Sequence, residues 1–195
     1  QRLHCPTVAA LNQFIKRGNS REIILACEAQ HEKKIAQIAD AIASEERGVR
    51  LVLIAGPSSS GKTTFSQRLA VQLRVNGMRP IPISMDNYFK ERKDTPRLPD
   101  GSYDFESLGA LDTDLFNEQL HELLQGKTVT IPHFSFHTGT RSYRDQKEQL
   151  GDDGVLIVEG IHGLNEAVSS SVPRREKMKI YISAVSYTHL RAHET

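Results

Sequence analysis

The chain lacks three features that would each point to a large class of proteins. It has no excess of one charge, because 25 basic and 24 acidic residues leave a formal net charge of +1. That balance argues against a surface that coats nucleic acid and against a polybasic membrane anchor. Its apolar runs are far shorter than the roughly 20 residues of a membrane span, and no secretory signal is visible. We therefore expect neither nucleic acid nor a membrane among its partners.

Cysteine is also scarce. Cys5 and Cys27 stand apart, without the close spacing of a metal or redox motif, and such a composition fits a reducing cytoplasm. Hydrophobic residues make up 38% of the 195 residues, which is ordinary for a globular protein. The chain begins with Gln1 rather than Met, so we expect either processing or a missing upstream segment.

Periodicity predicts helices that alternate with short buried strands. Residues 1–47 show helical spacing with Gly48 as a stop. Four strands are predicted at RLVLIAG, PIPISMD, GVLIVEG and KMKIYISA, and two helices at KTTFSQRLAVQLRVNG and DTDLFNEQLHELLQG, the second capped by Asp112 or Thr113. KTVTIPHFSFHTGTRSY alternates like a strand or hairpin. This order favours an α/β three-layer sandwich with a mostly parallel sheet.

The segment GPSSSGKT fits the phosphate-binding pattern GxxxxGK[ST], with Gly56, Gly61, Lys62 and Thr63 at the defined positions. It lies between a predicted strand and a predicted helix. Glycines let the backbone curl so that its N–H groups point at phosphate oxygens, and the helix N-terminus adds a positive dipole end. Lys62 would reach the β- and γ-phosphates, and the Thr63 hydroxyl would bind Mg²⁺. The pattern predicts nucleoside-triphosphate binding without identifying the reaction.

Two carboxylates favour a kinase over a GTPase switch, whose DxxG and NKxD motifs are not found in these residues. A small-molecule kinase needs a carboxylate that accepts a hydroxyl proton and an acidic residue near Mg²⁺. Asp86 ends the second predicted strand and Glu159 the third. If those strands flank the first, both carboxylates meet Lys62 at one sheet edge. A helix cap or turn at Asp86 and a solvated strand end at Glu159 are the alternatives.

Six segments resemble the uridine kinase and phosphoribulokinase-related family of P-loop kinases. In family order over residues 50–184 they are GPSSSGKTTF, SMDNYF, YDFES, IPHFSFHTGTR, VEGIHGLN and KIYISA. The helical lead and the EGIHGLN variant are most similar to a bacterial subgroup in which the kinase-like domain follows a threonyl-tRNA-synthetase-like region. The resemblance implies Mg²⁺-dependent transfer of phosphate from ATP or GTP to a nucleoside 5′-hydroxyl.

The resemblance also assigns roles to residues. Asp86 matches the general base, Lys62 contacts the phosphates, and Thr63 and Glu159 match the Mg²⁺ side. Glu106 falls where the family places an acidic residue against the ribose hydroxyls, which suits a carboxylate because it can accept from two neighbouring hydroxyls. The triphosphate would be bound by Gly56, Pro57, Ser58, Ser59, Ser60, Gly61, Lys62, Thr63 and Thr64. Tyr88, Phe134 and Arg141 fall in or beside the nucleoside pocket.

Two positions depart from the nucleoside-selecting members of the family. Those members carry a Tyr and a His that read the pyrimidine edge, whereas this chain has Phe134 and Gly139 at the aligned positions. Stacking on an aromatic ring would remain, but two polar readers are lost. A sugar or sugar-phosphate kinase therefore stays open, as does a non-catalytic nucleotide-binding module that regulates an attached RNA-related domain.

Three histidines lie in these segments and could bind a metal ion or contact a substrate. His133 and His137 form an HxxxH pattern, but in a strand four residues span roughly 13 Å, so the two side chains cannot share one metal ion. His162 follows the Glu159–Gly160 turn near the proposed site. Either a packing role or a substrate contact fits that position.

The last ten residues, SYTHLRAHET, do not resemble the family, which continues into an arginine-rich lid. They resemble a translated sequencing-adapter run, with a natural divergent end as the alternative. We therefore predict a helical linker at residues 1–47, an incomplete P-loop domain at 48–184 and a non-native tail at 185–195. Without lid arginines we expect nucleotide binding with little or no turnover. The unpaired sheet edge leaves a homo-oligomer open.

Overall fold

This computed structural model describes residues 7–44, 46 and 48–183, which form four α-helices and six strands. The helices are α1 (Val8–Lys16), α2 (Ser20–Ala43), α3 (Lys62–Val75) and α4 (Thr113–Leu124). The strands are β1 (Leu51–Ala55), β2 (Arg79–Ser84), β3 (Thr128–Ser135), β4 (Thr140–Gln149), β5 (Gly154–Glu159) and β6 (Lys177–Tyr181). Within the described residues, no helix combines the length and apolar character needed to cross a bilayer.

Four parallel strands form the central sheet in the order β2-β5-β1-β6. The predicted α/β fold with a mostly parallel sheet is confirmed. The assumed strand neighbours are wrong in one respect: β5 pairs with β1, but β2 pairs with β5 and does not flank β1. The carboxyl ends still meet, because Glu159 is in register with both Ile54 of β1 and Ser84 of β2.

Both faces of this sheet are covered, as its continuous apolar strands predict. Alternate residues of β1 point to opposite faces. Leu51 and Leu53 join a buried cluster that includes apolar residues of α4 and β3. Val52 and Ile54 join a second cluster with residues of α2 and α3. The site therefore stands on a sheet buried from both sides, with the strand ends exposed at one edge.

The C-terminal half of α2 belongs to the core of the sheet domain. Ile35, Ala39 and Ile42 lie on one helical face and are almost fully buried against α3 and the sheet. This cluster extends across the predicted boundary between residues 47 and 48. The helix also ends at Ala43, before the predicted stop at Gly48. Residues 1–6 and the predicted tail at 185–195 lie outside the described residues.

The predicted hairpin is present as an antiparallel pair, β3 with β4, separate from the central sheet. Its turn ends at Gly139, whose φ of +70° lies in the left-handed region that favours glycine. His133 lies in β3, but His137 lies in the turn, so the strand-spacing argument does not apply to it. Within the described ranges, no three or more His, Cys, Asp or Glu side chains are grouped to hold a metal ion.

Candidate active site

The phosphate-binding loop connects β1 to α3 and is shaped by backbone conformations that glycine favours. Gly61 (φ +86°) directly precedes the first residue of α3, and Ser59 (φ +59°) is also left-handed. At Gly56 a Cβ atom would overlap the carbonyl oxygen of Ile182, so only glycine fits without a shift. This loop holds the N-terminus of α3 at the carboxyl end of β1, which is a favourable position for an anion.

Lys62 is the first residue of α3, and its side chain folds back over the loop. Its Nζ donates a hydrogen bond to the carbonyl oxygen of Pro57 at 2.9 Å. The ammonium group therefore lies over the loop that carries the motif. A bound phosphate would offer this flexible side chain a charged acceptor in place of a neutral one.

Glu159 connects the loop to two strand ends. Its Oε1 accepts hydrogen bonds from the Thr63 hydroxyl at 3.2 Å and the Ser84 hydroxyl at 3.1 Å. A carboxylate and hydroxyls are hard oxygen donors of the kind that Mg²⁺ takes together with phosphate oxygens and water. The predicted metal-side residues thus fit Mg²⁺. Ser84 was missed by the sequence analysis, although it ends β2 as Glu159 ends β5.

Asp86 lies beside these Glu159 contacts, in a 3₁₀ helix of one turn, Met85–Tyr88, that follows β2. Partial loss of hydration raises the pKa of its carboxyl group above the ordinary value of 3.8. The Glu159 carboxylate raises that pKa further, and the Lys62 ammonium group lowers it. The three predicted groups therefore interact at one edge of the sheet. β5, which ends at Glu159, lies between β1, which leads into the loop before Lys62, and β2, which leads into the turn of Asp86.

A cavity of about 670 Å³ opens next to the start of the loop. It is lined by Gly56, Pro57, Ser58, Glu106, His162 and residues nearby. Glu106 is held in a turn by Asp104, whose Oδ1 accepts from the backbone N–H groups of Glu106 and Ser107 at 3.1 and 3.0 Å. Two predicted substrate residues, Glu106 and His162, therefore share a cavity with the phosphate-binding loop.

His162 is partly buried in the wall of this cavity. Burial lowers the pKa of its imidazole below 6.5, and a contact with the backbone of Ser107 partly opposes that shift. This shift favours the neutral form of the ring. His162 belongs to the loop that follows β5 and contacts the turn that bears Glu106, so a packing role and a place beside the substrate are compatible here.

The Tyr88 side chain lies in the core and does not line either cavity, whereas the sequence predicts a place in the nucleoside pocket. Its side chain is 1% exposed and packs edge-on against Phe116, with ring centroids 5.0 Å apart. Its hydroxyl donates to Gln119 Oε1 at 2.9 Å, inside the core. The 3₁₀ turn explains the difference, because Asp86 and Tyr88 leave it in different directions, one towards Glu159 and Lys62 and the other into the core.

Phe134 is also more enclosed than predicted. It is 5% exposed within a cluster of four phenylalanines, Phe89, Phe105, Phe134 and Phe136, where its ring centroid lies 5.1 Å from that of Phe136. Phe136 is the open member, with 48% of its surface exposed. Phe136 lies in the turn just beyond the end of β3, so the alternation along the strand does not indicate it.

The departure at Gly139 has a structural counterpart. A Cβ atom at Gly139 would overlap the side chain of Arg92. Arg92 in turn donates to the carbonyl oxygens of Phe136 and His137 at 2.7 and 3.2 Å. Arg92, which the sequence analysis missed, therefore occupies the space that a side chain at position 139 would need.

Arg141 holds the hairpin against the rest of the domain. Its guanidinium pairs with Asp112 at 2.9 Å and donates to the carbonyl oxygens of Phe89 and Tyr88 at 2.9 and 3.2 Å. The side chain also borders a second cavity, of about 550 Å³, together with Lys90 and Tyr143. Because protein groups occupy two of its three nitrogen atoms, these contacts support a structural role more than the predicted place beside the substrate.

Comparison with known proteins identifies the family to which the chain is similar. Residues 51–191 match the phosphoribulokinase/uridine kinase family, a match that runs into the predicted tail. The chain is 33% identical over 138 residues to a uridine kinase of Mycoplasma genitalium, covering 71% of this chain and 62% of that protein. It is 35% identical over 127 residues to an Arabidopsis thaliana protein named inorganic pyrophosphatase TTM2, covering 64% of this chain and 17% of that protein.

The fold has solved counterparts. The structure of a possible uridine kinase from Bacillus stearothermophilus superimposes with a TM-score of 0.63 at 24% identity, over 86% of this chain and 90% of that one. That identity supports the fold alone. The chain spans less than two thirds of the length of the two curated relatives. Because the family match covers well over half of the residues, this protein belongs to the phosphoribulokinase/uridine kinase family.

Proposed function

We propose that the chain carries the site of a kinase that transfers phosphate from ATP or GTP to the 5′-hydroxyl of a nucleoside. The observation that supports this most is the position of Asp86. Its carboxyl group interacts with Glu159 and Lys62 and has a raised pKa. A carboxylate of increased basicity at the mouth of a phosphate-binding loop is suited to accept a proton from an attacking hydroxyl.

In the proposed reaction, the oxygen of the acceptor hydroxyl attacks the γ-phosphorus, and Asp86 accepts the proton of that hydroxyl. A new oxygen–phosphorus bond forms while the bond from that phosphorus to the bridging oxygen breaks, which releases the nucleoside diphosphate. Lys62 stabilises the negative charge of the phosphates. Thr63 and Glu159 would hold Mg²⁺, which when bound would neutralise further phosphate charge. The backbone N–H groups of the loop orient the donor.

The residues on the proposed acceptor side of the site are suited to an acceptor that has hydroxyl groups and a planar ring. Glu106 borders the cavity beside the loop and can accept hydrogen bonds from two hydroxyls. The open ring of Phe136 offers a stacking surface. Arg92 over Gly139 replaces a side chain that could read a base edge. We therefore propose weak discrimination between bases, and a sugar or sugar-phosphate acceptor remains the second candidate.

We further propose that the protein acts in the cytoplasm without nucleic acid as a substrate, and that its natural context includes an upstream threonyl-tRNA-synthetase-like region. The near-neutral charge balance and the scarcity of cysteine support the first part. The helical lead and the EGIHGLN segment support the second.

The test is transfer of radiolabelled γ-phosphate from ATP with protein in excess, a single-turnover design that detects slow transfer. The acceptors are uridine, cytidine, adenosine, ribose and ribose 5-phosphate. Asp86→Asn should slow transfer at least about 100-fold, the lower range for a lost general base. It should leave ATP affinity within about twofold, because Asp86 is not among the groups proposed to bind the triphosphate or Mg²⁺.

Asp114→Asn is the matched control, since Asp114 is exposed on the first turn of α4. It should transfer at the wild-type rate. Transfer only to the sugars would exclude the nucleoside assignment. Binding of ATP with no transfer to any acceptor, by the full-length protein as well as by these residues, would support the non-catalytic module instead.

A further inference from the structure

The loop that follows β5 forms one wall of the cavity next to the phosphate-binding loop. We name residues 160–169 the strap. Three of its residues, Ile161, His162 and Leu164, line the cavity together with Gly56–Ser58 and Glu106. The position of the strap therefore sets the width of the space in which an acceptor would lie.

The first end of the strap is fixed on β1. The Gly160 N–H donates to the Ile54 carbonyl oxygen at 3.0 Å. Gly163 approaches the same strand so closely that a Cβ atom there would lie 3.0 Å from the Ile54 carbonyl oxygen. This end is thus tied to the strand that carries the phosphate-binding loop.

The second end is held by two lysines of β6, which project on the same side of the strand because they are two residues apart. Lys179 Nζ donates to the Leu164 carbonyl oxygen at 2.9 Å and to Glu166 at 2.7 Å. Lys177 Nζ donates to Glu166 at 2.9 Å and to the Ser169 carbonyl oxygen at 2.8 Å. Two ammonium groups thus bind two backbone carbonyls of the strap and share one carboxylate.

These contacts do more than an ordinary surface ion pair would. Glu166 is 72% exposed, and an exposed pair by itself contributes little to stability. The Lys177 side chain, however, is only 8% exposed. Hydrogen bonds from Lys179 and Lys177 lower the pKa of Glu166 to about 2. The lysine hydrogen bonds also fix the backbone of the strap. Leu164 accepts one of them through its carbonyl oxygen and also lines the cavity.

We propose that Lys179 is a positioning residue for acceptor binding: by holding the Leu164 carbonyl and Glu166, it fixes the strap as a wall of the acceptor cavity. The inference rests on the proposed function, since it takes the cavity beside Glu106 as the acceptor site. Lys179 acts through the strap and touches neither the phosphate-binding loop nor Asp86. Its removal should therefore affect acceptor affinity more than nucleotide affinity.

The test compares the dissociation constants of uridine and ATP by titration calorimetry. Lys179→Met should weaken uridine binding about tenfold, the scale of one lost charge-assisted hydrogen bond, and leave ATP binding within twofold. Lys179→Arg should restore most of the uridine affinity. Glu166→Gln, at an exposed position, should give a smaller loss with the same selectivity. Lys127→Met is the control, because Lys127 pairs with Glu122 at 3.6 Å on the surface near the end of α4.

Hydrogen exchange gives a second measurement that does not depend on a ligand. In Lys179→Met and Glu166→Gln, the amides of the strap should exchange faster while those of β1 stay protected. Unchanged uridine affinity in both variants would overturn the inference, and so would an equal loss of ATP and uridine affinity. If the wild-type chain binds ATP but not uridine, the proposed acceptor class fails first and the inference falls with it.

Discussion

Replacing Tyr88 by phenylalanine tests whether this residue belongs to the core or to the acceptor pocket. The hydroxyl donates to Gln119 Oε1 at 2.9 Å, and Gln119 Nε2 donates onward to the Thr130 carbonyl oxygen at 3.1 Å. Tyr88 is 1% exposed and Gln119 is 8% exposed. Phenylalanine keeps the ring and its edge-on contact with Phe116, so the substitution removes one hydroxyl without opening a large cavity.

The expected cost follows from the partner that is left behind. Gln119 Oε1 would stay buried without its donor, and a buried unpaired acceptor costs about 1–3 kcal/mol. We expect Tyr88→Phe to lower the free energy of unfolding by that amount in urea titrations. Tyr143→Phe, at a residue 58% exposed, should change it by less than about 0.5 kcal/mol. The affinities for ATP and uridine should both stay within twofold of the wild-type values.

The opposite pattern would refute this placement of Tyr88. A variant of unchanged stability that binds uridine about tenfold more weakly would mean that the hydroxyl faces the ligand. In that case the sequence-based assignment of Tyr88 to the pocket would be restored. A loss of both stability and uridine affinity would mean that the 3₁₀ turn transmits core packing to Asp86.

Two further predictions concern the donor side. The Asp86 carboxyl should titrate above 3.8 by carbon NMR, since burial and then Glu159 raise its pKa. Glu159→Gln should lower that pKa. Transfer should fall as the pH decreases through the Asp86 pKa, because the base becomes protonated. An unchanged Asp86 pKa in Glu159→Gln would contradict the assigned cause. Gly56→Ala should weaken ATP binding by about tenfold or more, because the added Cβ would overlap the Ile182 carbonyl oxygen. Wild-type ATP affinity in that variant would show that the loop accommodates the methyl group.

The donor side could be predicted because its information is local. The motif places the loop, Lys62 and Thr63 within eight consecutive residues, so strand and helix together determine their geometry. Asp86 and Glu159 were found although the assumed neighbour of β1 was wrong. In a parallel sheet all carboxyl ends lie at the same edge, so exchanging two strands moves a side chain along that edge and not away from it.

The acceptor side was predicted less well, because side-chain direction there depends on packing. Alternation along β3 distinguishes two faces but does not show how deep the Phe134 ring lies. The more exposed Phe136 lies in the turn beyond β3, where alternation gives no guidance, and it was missed. Within a 3₁₀ turn the strand rule does not hold at all, and Tyr88 points into the core. Arg92 over Gly139 joins segments 47 residues apart, a contact that no periodicity indicates.

Donor and acceptor binding should therefore be separable by substitution. The phosphate-binding loop depends on backbone conformation at Gly56 and Gly61 and on the first turn of α3. The acceptor wall depends on side chains of β6 that reach backbone carbonyls of the strap. β1 carries the loop and also fixes the first end of the strap through Ile54. Changes at Lys179 act on the second end, which is why we expect them to alter acceptor affinity while the nucleotide site keeps its geometry.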